Sequence, residues 1–251
     1  MRFDGPQQGE FKDCWFVAAL SSYLFVNFRQ VPKANNQGKY TFPFYNGKKW
    51  ISVATSSKVC YKNGIWGAKE IANDLIYSWP AVYEKAYAAF REDPKVDPPN
   101  MLKYIHCEGN PLTCLEHISG SNPHAFFTSY LNDDNIFSTI QDQTNPVTGE
   151  SNSVSFPFVA WTTSGNGNFG IKANHSYSIL GTFQKPGDKC IILRDPKAEL
   201  NPNSEEIYWD YIDFQTYKTT VHCDPTLINK GIFAITPAAF KASFEGFGYV
   251  R

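Results

Sequence analysis

Residues 14–27 are apolar almost all the way round a helical projection, the pattern of a helix buried between layers rather than lying on a surface. The polar run Gln8-Gly9-Glu10-Phe11-Lys12-Asp13 leads into it, and Asp13 is a favourable N-cap residue, so the helix is predicted to start at Cys14. From Gly38 the apolar period changes from helical to alternating. Residues 40–45 and 50–55, separated by Asn46-Gly47, predict a β-hairpin with Asn-Gly as its tight turn, and Pro43 confines its strand to an edge or a bulge. Residues 69–90 are predicted helical: the apolar positions of 79–88 recur at helical spacing and Pro80 suits a first helical position. Residues 91–123, rich in Pro, Asn, Asp and Gly, are expected to wander over the surface, and residues 124–140 to form another helix. Residues 141–153 are polar and broken by Gly and Pro, as a link between lobes would be. Short strands are predicted at 154–160, 175–183, 189–194, 207–214 and 230–236, which suits an antiparallel barrel or sandwich.

With 251 residues, the chain can form one large domain or two small lobes sharing a cleft. At 42% hydrophobic and 16% aromatic residues it can bury a sizeable core. The formal net charge of -1, from 23 basic and 24 acidic residues, argues against nucleic acid or an anionic membrane as the main partner. No apolar run approaches the ~18 residues that span a bilayer. No apolar signal region precedes Cys14, but the sequence opens only thirteen residues before it, which suggests a trimmed domain and leaves export open.

The junction at Cys14 is where chemistry is expected. The first N–H groups of a helix lack partners and its dipole places partial positive charge there, so a thiol at that end ionises more easily, and the thiolate is the nucleophile. Gln8, six positions upstream, can turn its side-chain amide toward an oxyanion formed at that sulfur. A buried, inert cysteine is the plain alternative; the Gln, the cap and the Cys together favour the nucleophile. The other cysteines are Cys60, Cys107, Cys114, Cys190 and Cys223, an odd number that makes no full disulfide set. His106-Cys107 and Cys114-x-x-His117 supply zinc-ligand types at a spacing that matches no common finger, and a Cys107–Cys114 disulfide stays open for an exported protein.

The segment Gln8-Gly9-x-x-x-Asp13-Cys14-Trp15, followed by Ala18-Ala19-Leu20, resembles the nucleophile segment of the calpain-like cysteine proteases of the papain superfamily. Further segments match in order. Trp79-Pro80-Ala81 with Glu84-Lys85-Ala86-Tyr87-Ala88 resembles the family's W-P-A-x-x-E-K-A-Y-A, and Asn174-His175-Ser176-Tyr177-Ser178-Ile179-Leu180-Gly181 resembles G-H-A-Y-S-V-x-G. Ile191-Ile192-Leu193-Arg194-Asp195-Pro196 resembles L-I-R-L-R-N-P, and Phe240 to Phe247 resembles the F-W-M-S-F-x-x-F close. The resemblance implies an α+β, two-lobed papain-like fold: a helical lobe over residues 1–140 carrying the nucleophile, and an antiparallel β-rich lobe over 141–251 carrying His175 and Asp195, with the cleft between. It implies Cys14 as nucleophile, His175 as base, Asp195 as the group orienting the imidazole, and Gln8 in the oxyanion hole. Gly120 and Ser121 fall where a cleft-lining Gly-Gly pair is expected, and they join Trp15 and Asn174 as substrate-binding candidates.

Two positions depart from the pattern: Asp195 replaces Asn, and Lys197 replaces a Trp that shields the His–Asn contact from water. The first adds a charge that favours imidazolium; the second removes a shield. The sequon Asn174-His175-Ser176 lies within the expected site, where a glycan would block the cleft, so a reducing, cytoplasmic setting is expected. The resemblance also implies calcium ions that align the lobes, bound by an acidic run before the C-terminal close. Here that run reads Thr236-Pro237-Ala238-Ala239, and Asp4 is the one carboxylate upstream of the motif, so no calcium ligands carry over. Catalysis is expected to need no cofactor and not to depend on calcium in the family's usual way. The expected function is a cysteine endopeptidase acting on protein or peptide substrates by limited regulatory cleavage, with flanking regulatory domains outside this chain. Two alternatives stay open: a non-catalytic calpain-like binding or regulatory module, and transglutaminase-like acyl transfer, which also uses Cys, His and Asp.

Overall fold

The computed structural model describes residues 5–27, 34–59, 67–72, 75–165, 168–199, 210–213, 218–221 and 231–251. Its centre is α1 (Cys14–Val26), in which every residue from Trp15 to Phe25 is buried. A helix apolar all round must be covered on all sides, and two hydrophobic cores do so. One core belongs to the N-terminal lobe. There β1 (Pro6–Gln7) begins a three-stranded sheet completed by β4 (Lys69–Ala72) and β5 (Leu75–Tyr77), and β2 (Lys39–Tyr45) pairs with β3 (Trp50–Ser56). Three helices complete the lobe: α2 (Trp79–Glu92), α3 (Met101–Tyr104) and α4 (Pro111–Ser119). Phe16 and Phe44 meet Tyr83 and Tyr87 of α2, so the hairpin, α1 and α2 share one aromatic cluster.

The second lobe begins with β6 (Pro123–Phe127) and α5 (Asp133–Gln141), followed by β7 (Thr144–Thr148), β8 (Ser151–Trp161), β9 (Ser176–Lys185) and β10 (Asp188–Arg194). A separate ribbon pairs β11 (Asp210–Asp213) with β12 (Lys218–Val221); β13 (Ile232–Ile235), α6 (Pro237–Ser243) and β14 (Gly246–Val250) close the chain. The main sheet is antiparallel in the order β13-β10-β9-β8-β14-β6, with β7 paired to β8. The α+β, two-lobed architecture expected from the sequence is what the chain forms. Among the described residues no helix is long and apolar enough to cross a membrane.

Several local expectations change. Residues 69–72 and 75–77 form β4 and β5 rather than the front of a helix, which begins only at Trp79 with Pro80 in its first turn. The stretch 91–123 is not a surface coil throughout: Asn110 caps α4 through Leu112 and Thr113 N–H groups, and α4 buries Leu112, Cys114, Leu115 and Ile118. Residues 123–127 are a strand, and 144–148 pair with β8 instead of linking the lobes. Ile136, Phe137 and Ile140 of α5 lie in the second core. The β2–β3 hairpin has a four-residue loop, not a two-residue turn: Tyr45 pairs with Trp50, and the Asn46 side chain accepts from the Lys48 and Lys49 N–H groups. Part of the predicted strand 207–214 lies outside the described residues.

Candidate active site

Cys14 occupies the first position of α1, where its backbone N–H has no intrahelical acceptor. The helix starts where the sequence predicts, but not through the expected cap. Asp13 makes no capping hydrogen bond with its side chain; its carbonyl accepts from the Phe16 and Val17 N–H groups at 2.9 and 3.0 Å. The carboxyl is buried instead, and burial raises its pKa against the opposing pull of the Glu84 and Gln8 side chains.

Polar residues within the apolar helix fix its position on the sheet. Ser178 Oγ of β9 donates to the Ala18 carbonyl at 2.7 Å, one turn below Cys14 and three residues along from His175. Ser22 Oγ accepts the Phe158 N–H at 2.6 Å. The buried Arg194, next to Asp195, donates to Ser21 Oγ at 2.7 Å and to the Pro6 carbonyl at 2.6 Å. The Gln8 N–H donates to the Pro196 carbonyl at 2.8 Å, which ties the segment before the nucleophile to the loop after Asp195. Gln8 Nε2 donates to the Phe11 carbonyl at 2.7 Å.

His175 immediately precedes β9. Its N–H donates to Thr162 Oγ1 at 3.0 Å and its carbonyl accepts the Thr162 N–H at 3.0 Å, which holds the residue against the end of β8. Asn174 has φ 48°, in the left-handed region that Gly adopts freely and Asn tolerates, so it fits where the resemblance implies Gly. The His175 ring donates from Nε2 to Asp195 Oδ1 at 2.9 Å, leaving Nδ1 for Cys14. Cys14 Sγ lies 4.0 Å from the Asn174 carbonyl oxygen. The edge of the Tyr177 ring packs on the imidazole with centroids 4.9 Å apart. Burial alone would lower the imidazole pKa, but the Asp195 hydrogen bond and charge, together with Cys14, outweigh it and raise His175 to about 9.

The Asp195 N–H donates to the Gly231 carbonyl at 2.8 Å. Gly231 is needed there: φ is 76°, and a Cβ would collide with the Asp195 carbonyl and Ala198. The carboxylate has no idle oxygen. Oδ1 accepts the Lys197 N–H at 2.8 Å as well as His175, and Oδ2 accepts Lys172 Nζ at 2.8 Å. Burial would raise this carboxyl, but His175, Lys172 and the Lys197 N–H outweigh it and hold it down at about 2.

Gln8, Cys14, Trp15, Asn174 and His175 line one cavity of about 790 Å³, and Asp195 stands behind His175. Gly120 and Ser121 do not line it. Gly120 ends α4 with φ 71°, against Trp50. Glu108, Gly109, Asn110 and Pro111 also line the cavity. Gly109 lies flat on the Trp15 indole, where any Cβ would clash, and Trp15 Nε1 donates to the Cys107 carbonyl at 2.8 Å. The sequence signal for this stretch was only a loop glycine, Gly109, within Glu-Gly-Asn-Pro. Lys197 lines the cavity, but only its N–H reaches Asp195; an indole is supplied from another element by Trp161, at the end of β8. Lys172 and Trp161 carried no sequence signal for the site.

The remaining cysteines and histidines do other work. Cys107, Cys114 and Cys190 are free thiols, which overturns the Cys107–Cys114 disulfide; burial pushes the Cys114 thiol up strongly. His106 Nδ1 accepts the Lys12 N–H at 3.2 Å, His117 Nδ1 bonds Tyr87 Oη at 2.7 Å, and His124 stacks on Tyr249. Among the described residues no three His, Cys, Asp or Glu side chains are grouped to hold a metal ion. The stretch from Thr236 to Ala239 does not fit calcium: Thr236 caps α6 by accepting the Ala239 N–H at 3.2 Å, and no carboxylate is present. Asp4, Cys60, Asn166, Gly167, His222 and Cys223 lie outside the described residues.

A family model described as calpain family cysteine protease matches residues 2–246. Calpain-B of Drosophila melanogaster is 36% identical over 99 residues, 35% of this chain and 10% of that protein. Calpain clp-4 of Caenorhabditis elegans is 34% identical over 95 residues, 35% of this chain and 13% of that protein. The aligned stretch is thus a small part of either relative's length. With its family match running over nearly the whole sequence, the chain belongs to the calpain family of cysteine proteases.

Proposed function

We propose that this chain is a cysteine endopeptidase that cleaves proteins through Cys14, His175 and Asp195, with Gln8 and the Cys14 N–H as the oxyanion hole. The observation that carries the reading is the imidazole of His175, bonded through Nε2 to Asp195 at 2.9 Å and sharing a cavity with Cys14.

The Cys14 proton passes to His175 Nδ1, and Sγ attacks the scissile carbonyl carbon. The developing oxyanion takes one hydrogen bond from Gln8 Nε2–H and one from the Cys14 N–H at the start of α1. Collapse breaks the C–N bond, and His175 gives its proton to the departing amine. His175 then takes a proton from water, the hydroxide adds to the thioester, and the acid leaves as the thiol is restored. Asp195 stays ionised throughout and holds the ring in the useful tautomer. No step needs a metal or an organic cofactor. Limited, regulated cleavage and flanking regulatory domains, which the resemblance implies, belong to the same proposal.

The test is hydrolysis of casein and of a fluorogenic peptide by wild type and Cys14→Ala, each with calcium and with chelator. The expected result is wild-type activity unaffected by chelator and a loss of about 10³-fold or more in Cys14→Ala. Activity that survives in Cys14→Ala overturns the nucleophile; activity strictly dependent on calcium overturns calcium independence.

A further inference from the structure

Asp195 brings a full negative charge to a contact that the family's Asn would make as a neutral amide. The structure holds that charge within a network. Lys172, in the loop before β9, places Nζ 2.8 Å from Asp195 Oδ2 and 2.6 Å from Glu199 Oε2, so one ammonium is shared between two carboxylates. Its own backbone is fixed, because the Lys172 N–H donates to Tyr177 Oη at 2.9 Å, and the same tyrosine ring packs on His175. Imidazole, carboxylate and ammonium are therefore held by residues 172, 175 and 177 of one short stretch. The other groups facing them are Cys14 from α1, and Lys197 and Glu199 from the loop after β10; Lys12 and Glu108, of opposite charge, also line the cavity.

The reaction asks two opposed things of His175. It must hold a proton while Cys14 attacks, and it must take one from water during thioester hydrolysis. An uncompensated carboxylate favours the first at the expense of the second. We propose that Lys172 is a positioning residue that offsets the charge of Asp195 and pins its second oxygen, so that the carboxylate orients His175 without over-stabilising the imidazolium. This rests on the reading of Cys14 and His175 as nucleophile and base. It also explains how the chain accommodates Asp in place of Asn: the compensating cation is twenty-three residues away in sequence and in contact in space.

The readout is the pH dependence of Cys14 alkylation by iodoacetamide, resolved from the other cysteines by peptide mass spectrometry. It needs no turnover. In a paired site the rate follows two transitions, the upper one marking loss of the imidazolium proton. Lys172→Met keeps the aliphatic stem and removes the charge; the upper transition should rise by about one pH unit, and deacylation-limited hydrolysis at neutral pH should fall severalfold. Lys172→Arg should leave the transition in place. In an Asp195→Asn background, Lys172→Met should move it much less, because the carboxylate bonded to His175 is gone and only Glu199 remains beside the ammonium. A two-step profile unmoved by Lys172→Met, or moved equally in both backgrounds, overturns the role of Lys172 alone. A wild-type profile with a single ordinary thiol transition overturns the nucleophile–base reading and the proposal with it.

Discussion

Cys14 rides on a helix buried from Trp15 to Phe25, whereas His175 and Asp195 sit at strand ends and are held largely by charge. On the Cys14 side, position comes from packing: an apolar helix between two cores, located by Ser22, Ser178 and Arg194. On the His175 side, it comes from a carboxylate whose two oxygens accept from an imidazole, an ammonium and a backbone N–H. Packing constrains many residues at once and tolerates little change. A charge network can be rebuilt by exchanging one residue and adding another nearby, and it is on this side that the chain departs from its family, at Asp195 and Lys197.

The contrast can be broken most forcefully at Arg194, which joins the two sides. It lies in β10 next to Asp195, but its guanidinium reaches Ser21 of α1 and the Pro6 carbonyl. Arg194→Met should leave those acceptors unpaired in the interior and cost about 3 kcal/mol in urea unfolding, with activity falling as α1 loosens from the sheet. Stability unchanged by this substitution would mean that packing alone places the helix.

The pH dependence of stability isolates the charged side. The His175 pKa is raised from 6.5 to about 9, so its contribution is fully present below pH 6.5 and is lost as pH rises through 9. The Asp195 pKa is lowered from 3.8 to about 2, so its contribution is present above pH 3.8 and is lost as pH falls through 2. The difference in urea midpoint between wild type and His175→Gln should therefore be largest between these limits, near pH 4–6.5, and shrink toward pH 9. A difference that grows with rising pH would contradict the charged pair.

The smallest effect is expected at Ser178. Ser178→Ala removes one hydrogen bond to a helix carbonyl that already serves the helix, costing about 1 kcal/mol. Because that bond ties α1 to β9, the strand that follows His175, the loss in kcat/KM should be about tenfold with KM little changed. An effect on stability with none on kcat would make Ser178 a packing residue only.

Legibility in the sequence follows the same division. The grouping of Cys14, Gln8 and His175 at one cavity, with Asp195 behind, is legible because each lies in a local segment of recognisable pattern, and the buried helix because its apolar run is long. The strands at 69–72 and 75–77 are not, because pieces of four and three residues carry too little periodicity, and β4 pairs with residues 6 and 7 far away in sequence. Helix α4 was misread from composition, although Asn110-Pro111 is itself a helix-start signal. Gly109 carries no local pattern that sets it apart from other loop glycines; its contact with Trp15 shows only in the fold. Lys172 was invisible for the same reason: an ion pair across twenty-three residues leaves no local pattern.

The most direct test of the site is labelling by an epoxide inhibitor of cysteine proteases, read by mass spectrometry in wild type and in His175→Ala. Stoichiometric modification of Cys14 in wild type, sparing the partly exposed Cys107 and abolished in His175→Ala, is the predicted result. Equal labelling in both proteins, or preference for Cys107, would contradict a nucleophile activated by His175.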